Sequence, residues 1–163
     1  MKSAVITGGT GMLGLALVRL LISKNIKVLM LIRPNSRKTD NIPKSPLVNT
    51  IECDLKDLPN APIPDDEKYD AFFHFGWEGT YGDARNDMYL QNKNIQNTID
   101  AVQLASKLGC SVFLGAGSQA EYGRVADGVK ISPTLPLKEQ RNRDRFKEKR
   151  TQEVRLCHVF FYP

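Results

Sequence analysis

The chain predicts an α/β domain built on a doubly wound parallel sheet, and three features of its 163 residues predict it. Short apolar runs recur without the polar alternation of a half-exposed sheet, so strands buried on both faces are expected. Helical stretches or long connections separate these runs, as parallel strands require. Four glycines fall between Gly8 and Gly14, at the junction of the first strand and the first helix.

The elements follow in order. SAVIT (3–7) is a short β-rich run. Met12 to Ser23 is apolar nearly all round, as a helix pressed on a sheet would be. Asn25 and Lys27 end it, and KVLMLI (27–32) is a second buried strand. RPNSRKTDNIPKSP (33–46) is polar, contains three prolines and reads as loop. VNTIEC (48–53) is a third strand. NAPIPDDEK (60–68) interrupts the chain before DAFFHF (70–75), the fourth. Asp87 to Leu108 reads as a long helix, with Met88, Ile95, Ile99 and Val102 sharing one face. CSVFLGAG (110–117) is a fifth strand with a glycine-rich exit. A strand order near 3-2-1-4-5 is expected, and no internal repeat is visible.

Composition narrows the function classes. The length suits one domain with a real core. No apolar run reaches the roughly 18 residues of a membrane span. Met1-Lys2 leads straight into a strand, so no leader and a cytoplasmic site are expected. Cys53, Cys110 and Cys157 are scattered and odd in number, which argues against a disulfide framework or a metal cluster and for plain thiols. The net charge of +5 is concentrated in the tail: Arg141 to Arg155 holds seven Lys/Arg against three Asp/Glu. Residues 1–140 are nearly neutral, so the net charge is no evidence for a nucleic-acid groove across the domain.

The glycines form the pattern Thr7-Gly8-x-x-Gly11-x-x-Gly14. Gly8 allows a tight turn, Gly11 lets backbone approach a diphosphate, and Gly14 lets the helix sit close to the strand. The helix N-terminus then offers free N–H groups to phosphate. An ordinary strand–helix turn is the plain alternative; the placement in a βαβ unit favours a dinucleotide site.

TGGTGMLG (7–14) resembles the TGxxGxxG fingerprint of the extended short-chain dehydrogenase/reductases, the NAD(P)-dependent epimerase/dehydratase branch. ECDL (52–55) is similar to the exit of that family's third strand, whose Asp, here Asp54, binds adenine. HFGW (74–77) resembles the HLAA segment along the ribose and diphosphate, with Trp77 replacing a small residue. NIQNT (94–98) resembles NVxGT, and GSQAEYG (117–123) resembles SSxxVYG. The resemblance covers residues 1 to about 140. It implies a Rossmann-like fold, a nucleotide-sugar substrate, and epimerisation, dehydration or reduction. It assigns coenzyme contacts to Thr7, Gly8, Thr10, Gly11, Met12, Leu13 and Gly14 of the turn. Further contacts fall to Arg33, Asp54 and Leu55, and to Phe75, Gly76 and Trp77. Ser118 would orient the substrate and Asn94 would support the site.

For several of these residues a plainer role stays open. Asp54 could merely cap the next turn, and His74 fits a satisfied core histidine. Trp77 could wall the substrate cleft instead of following the ribose. Arg33 stands where an acidic residue would select NAD, with Arg37 and Lys38 nearby, which favours NADP. A solvated basic loop leaves NAD open.

In the family a Tyr-x-x-x-Lys pair follows the Ser, the Tyr moving the proton and the Lys lowering its pKa. No such pair follows Ser118. Tyr89 and Lys93 have the spacing but lie opposite the Ile95/Ile99/Val102 stripe, as a surface coincidence or part of a helix that packs on a partner subunit. Arginine occurs five times in residues 1–140 and five times in 141–155, where the periodicity also stops. The expected organisation is therefore a dinucleotide-binding domain over 1–140 and an atypical basic tail over 141–163. A frame broken near Gln140, with the C-terminal substrate region missing, is the preferred account of the tail. A divergent authentic end and a basic arm for an anionic partner are the others. Dinucleotide binding without turnover is the expected behaviour, a non-catalytic NAD(P) sensor is the rival, and a homodimer through residues 87–108 is possible.

Overall fold

The computed structural model describes residues 1–64 and 66–117. Ser118 and the basic tail lie outside the described residues. Five strands, β1 (Ser3–Thr7), β2 (Lys27–Ile32), β3 (Val48–Glu52), β4 (Ala71–His74) and β5 (Val112–Gly115), form one sheet in the order β3-β2-β1-β4-β5. Every pairing is parallel, so the expected doubly wound topology is what the chain adopts. Two α-helices, α1 (Met12–Ser23) and α2 (Met88–Lys107), supply crossovers, and short 3₁₀ turns occupy Thr39–Asn41, Leu55–Asn60 and Gly82–Asn86.

β1, β2 and β4 are buried on both faces, which is why they read as unbroken apolar runs, whereas the edge strand β3, VNTIE, is polar and partly exposed. Val5, Leu29, Leu31, Phe72 and Phe113 point to one side, against Leu58 and the Ala101, Leu104, Ala105 and Leu108 ridge of α2. Ala4, Ile6, Val28, Met30 and Ile32 point to the other, against Val18 and Leu21 of α1. Phe72 is fully buried and stacks on Phe113 with ring centroids 5.7 Å apart. Asp70 ties the start of β1 to β4 by accepting the Lys2 N–H and the Ser3 N–H.

The face that α2 turns to the sheet differs from the expected one. Asn94, Asn97, Thr98, Ala101, Leu104 and Ala105 are buried. Met88 and Ile99 are exposed, and Ile95 and Val102 only half-buried. Asn94, Asn97 and Thr98 take the sheet-facing side because the helix crosses close to β4 and bonds there, so Met88 and Ile99 are turned outward while Val102 still packs against the core. Tyr89 is exposed on yet another side. Asp87 caps the helix by accepting from Tyr89 N (3.0 Å) and Leu90 N (3.2 Å). No helix among the described residues is long and apolar enough to cross a membrane.

Burial also sets the ionisation of the core. It pushes the His74 imidazole down to about 4 and the thiols of Cys53 and Cys110 up to about 11, so these groups are neutral at pH 7. For Cys53 the carboxylates of Asp57 and Asp54 add to the effect, and for Cys110 that of Asp70.

Two outcomes follow from this packing. Phe72→Ala should cost about 3–5 kcal/mol in a denaturant titration, since it removes a stacked ring from a filled interior. His74 binds its proton more weakly folded than unfolded, so its contribution is present above the unfolded pKa and is lost as pH falls towards the folded value near 4. Stability should drop by about 3 kcal/mol between pH 6.5 and 4 through this group. The difference between the pH–stability profiles of the native chain and His74→Gln isolates it.

Candidate functional site

The described residues assigned to coenzyme contacts gather at or just beyond the carboxyl ends of β1, β2, β3 and β4. The gap between β1 and β4 is where the winding reverses, since β1 leads out to β2 and β3 while β4 starts the other half. Open sheets of this kind bind ligands in that crevice.

Thr7 ends β1 fully buried, and Gly8 follows with φ +68°, the left-handed conformation that favours glycine. Gly8 O accepts from Gly11 N (3.0 Å), closing the turn. A side chain at Gly8 would collide with the Phe75 and Gly76 backbone at 2.5–2.7 Å, so turn and β4 exit touch main chain to main chain. Gly14 is buried under the same turn, and a Cβ there would lie 2.4 Å from Gly8 O. Gly11 differs. It has ordinary dihedrals (φ −77°, ψ 171°) as N-cap of α1, and a Cβ would meet only Gly8 O, at 3.3 Å. Thr10 is half-buried, while Met12 and Leu13 are exposed in the first turn of α1. That turn has no side-chain cap and no acidic residue, so its N–H groups face outward as donors.

Around the turn stand the other assigned residues. Arg33 leaves β2 exposed, as are Arg37 and Lys38. Asp54 caps the Leu55–Asn60 turn by accepting from Lys56 N (3.3 Å), the plainer of its two expected roles. Leu55 fills the space a side chain at Gly76 would need, its methyl 2.7 Å from that point. Phe75, Gly76 and Trp77 are half-buried beyond β4.

A buried polar chain crosses this region. Gly76 N donates to Thr7 Oγ1 (3.2 Å), and Thr7 Oγ1 lies 2.8 Å from His74 Nδ1. His74 Nε2 is 3.4 Å from Thr98 Oγ1, which donates to the Asn94 carbonyl (2.8 Å). His74 is thus a satisfied core histidine, as its setting in an apolar strand suggests. Asn94, also buried, turns its side chain to the loop beyond β4: its Oδ1 accepts from Glu78 N and its Nδ2 donates to Glu78 O, both at 2.9 Å. Gln91 accepts from Trp77 Nε1 (2.9 Å) and from Asn94 Nδ2 (3.1 Å), and donates to Ala84 O (3.1 Å). Gln91 and Thr98 carried no sequence signal of a role, although Thr98 closes the NIQNT segment. Their partners become visible only in the fold. Tyr89, exposed on α2, is not among these contacts. No three His, Cys, Asp or Glu side chains group as metal ligands among the described residues.

A glycine turn at a sheet's reversal point, with open helix donors above it, is geometry shared with known proteins. The chain matches the model of the NAD dependent epimerase/dehydratase family over residues 4–157. No curated protein gives a significant match. Among solved structures, a UDP-galactose 4-epimerase is 26% identical, with a TM-score of 0.66 over 83% of this chain and 44% of its own. A UDP-N-acetylglucosamine 4-epimerase from Methanobrevibacter ruminantium, in complex with UDP-N-acetylmuramic acid, is 25% identical, with a TM-score of 0.62 over 85% of this chain and 43% of its own. The Thermus thermophilus UDP-glucose 4-epimerase in complex with NAD shares the fold at 21% identity and a TM-score of 0.69, again over 83% and 44%. The chain spans less than half the length of these structures. With turn, topology and sequence model in agreement, the chain belongs to the NAD-dependent epimerase/dehydratase family.

Proposed function

We propose that this chain binds a nicotinamide dinucleotide across the glycine turn and serves the epimerisation, dehydration or reduction of a nucleotide sugar. Gly11 carries the reading. Packing demands glycine at positions 8 and 14, whereas a side chain at 11 would press on a single atom, Gly8 O, at 3.3 Å. A glycine there keeps a surface open beside helix N–H groups that have no side-chain cap, the setting for a diphosphate. Thr7, Thr10, Met12 and Leu13 belong to the same cradle. The neighbours solved with NAD and with a UDP-linked ligand support both halves of the reading.

The remaining assignments follow from place. Asp54 spends one carboxylate oxygen on Lys56 N and keeps the other for an adenine amino group. Leu55 and the Phe75–Trp77 segment border the coenzyme. Exposed Arg33, with Arg37 and Lys38 close in sequence, suits a 2′-phosphate and favours NADP over NAD. The coenzyme supplies a hydride acceptor and donor. Ser118 is assigned to orienting the substrate oxygen. Asn94 acts by position, since its amide is committed to Glu78 and Gln91. No Tyr-x-x-x-Lys follows Ser118, so binding without turnover is expected of this chain. The same absence favours a second reading, a non-catalytic NAD(P) sensor. A partner protein that binds only the coenzyme-loaded form would select it. Restored turnover on joining a homologous Tyr-x-x-x-Lys segment after Gln140 would select the enzyme.

Trp77 is the single tryptophan and lies next to Gly76, so its emission should report the coenzyme. Titration with NADPH or NADH should quench it with sensitised coenzyme emission, and the absence of any response from the folded chain at millimolar coenzyme would refute the proposal. Gly11→Ala should weaken binding by about tenfold or more with a smaller loss of melting temperature than Gly14→Ala, where the same Gly8 oxygen would lie 2.4 Å away instead of 3.3 Å. Arg33→Asp should weaken NADPH relative to NADH. The patch of Met88, Ile95 and Ile99 on α2 is the surface we assign to a second copy of the chain. Sedimentation should give a dimer that Ile99→Glu dissociates.

A further inference from the structure

We propose that His74 is a positioning residue of the coenzyme cradle: a neutral imidazole with its proton on Nε2, it ties α2 to the threonine from which the glycine turn springs. The positioning role rests on the coenzyme reading above; the assignment of the proton does not.

Counting donors along the buried chain settles the direction. Thr7 Oγ1 already accepts the Gly76 N–H, and the acceptor in reach of its own proton is His74 Nδ1, 2.8 Å away. On the other side, Thr98 has committed its hydroxyl proton to the Asn94 carbonyl, so it presents a lone pair to His74 Nε2. Nδ1 must then accept and Nε2 must donate. With the proton on Nδ1, the Thr7 proton would lose its acceptor, and Thr98 would have to turn its own proton from the Asn94 carbonyl to Nε2. In a buried site each unsatisfied group of that kind is costly. Four links therefore run one way, from the Gly76 N–H through Thr7, His74 and Thr98 to the Asn94 carbonyl.

The chain's two ends explain its use. Thr7 precedes Gly8, whose backbone lies against Phe75 and Gly76. Asn94 belongs to α2 and holds Glu78 by both its backbone groups. Gly76 and Glu78, on either side of Trp77, are thereby referred to one helix by two routes. His74 is the only side chain on the first route that reaches from the sheet to α2.

His74 is one of two histidines, so isotopic labelling of histidine nitrogens and long-range proton–nitrogen spectra read its tautomer in the full chain at neutral pH. A His158→Asn variant assigns the signals. A protonated Nε2 with a bare Nδ1 is expected; the reverse, or an imidazolium, overturns the inference. Coenzyme titration then tests the positioning role. His74→Leu should weaken binding about tenfold, and His74→Asn, whose carboxamide oxygen can still accept the Thr7 proton, should recover most of it. Equal loss in both variants, or none in His74→Leu, overturns the role. The spectra need no variant, so they decide the relay even where His74→Leu does not fold. A chain with the expected tautomer that binds no dinucleotide overturns the proposed coenzyme and the positioning role with it. A chain that binds but carries the other tautomer overturns only the present inference.

Discussion

The structure depends on one close approach: the backbone of Gly8 against the backbone of Phe75 and Gly76, with no side chain between them. Adjacent parallel strands leave a sheet at similar heights, and their exits usually diverge to make room for side chains. Here they do not. The contact draws the first turn of α1 over the end of β4 and leaves Thr7 and His74 side by side beneath it. At the reversal of winding, the floor between the two strand exits is therefore backbone against backbone.

Exposed backbone suits an anion. Peptide N–H groups at a helix start have fixed directions, carry partial positive charge and need no rotamer ordering before a ligand arrives. On the coenzyme reading proposed above, specificity is left to the periphery, where Arg33 and Asp54 stand on different strand exits. The polar chain below acts as a foundation. Its members are buried and paired, and a fully satisfied network defines one arrangement more sharply than apolar contact does.

Much of this was legible in the sequence, for identifiable reasons. β1, β2 and α1 have the predicted limits because apolar runs meet abrupt breakers there, such as Gly8, Asn25 and Arg33. The glycine turn was legible because spacing, strand and helix fall within a dozen residues. The orientation of α2 was not. Hydropathy ranks Ile95 and Ile99 above Asn94, Asn97 and Thr98, yet the polar residues face the sheet because α2 bonds to His74 and to the loop beyond β4. Local pattern cannot register partners 67 residues away, as Thr7 and His74 are, or 24, as His74 and Thr98 are. Gln91 was invisible for the same reason: its role is to meet Trp77 and Ala84, which the fold folds back onto it.

The segment beyond β4 is fastened at Glu78 by Asn94 and at Gly79 and Ala84 by Gln91, but from 80 to 83 it is exposed: Tyr81 is 87% exposed and a side chain at Gly82 would meet nothing within 4 Å. An arch pinned at its feet and free at its crown can change length or chemistry without disturbing what it stands on. Evolution can therefore redraw the rim beside the cradle, residue by residue, while the floor of the crevice stays as it is.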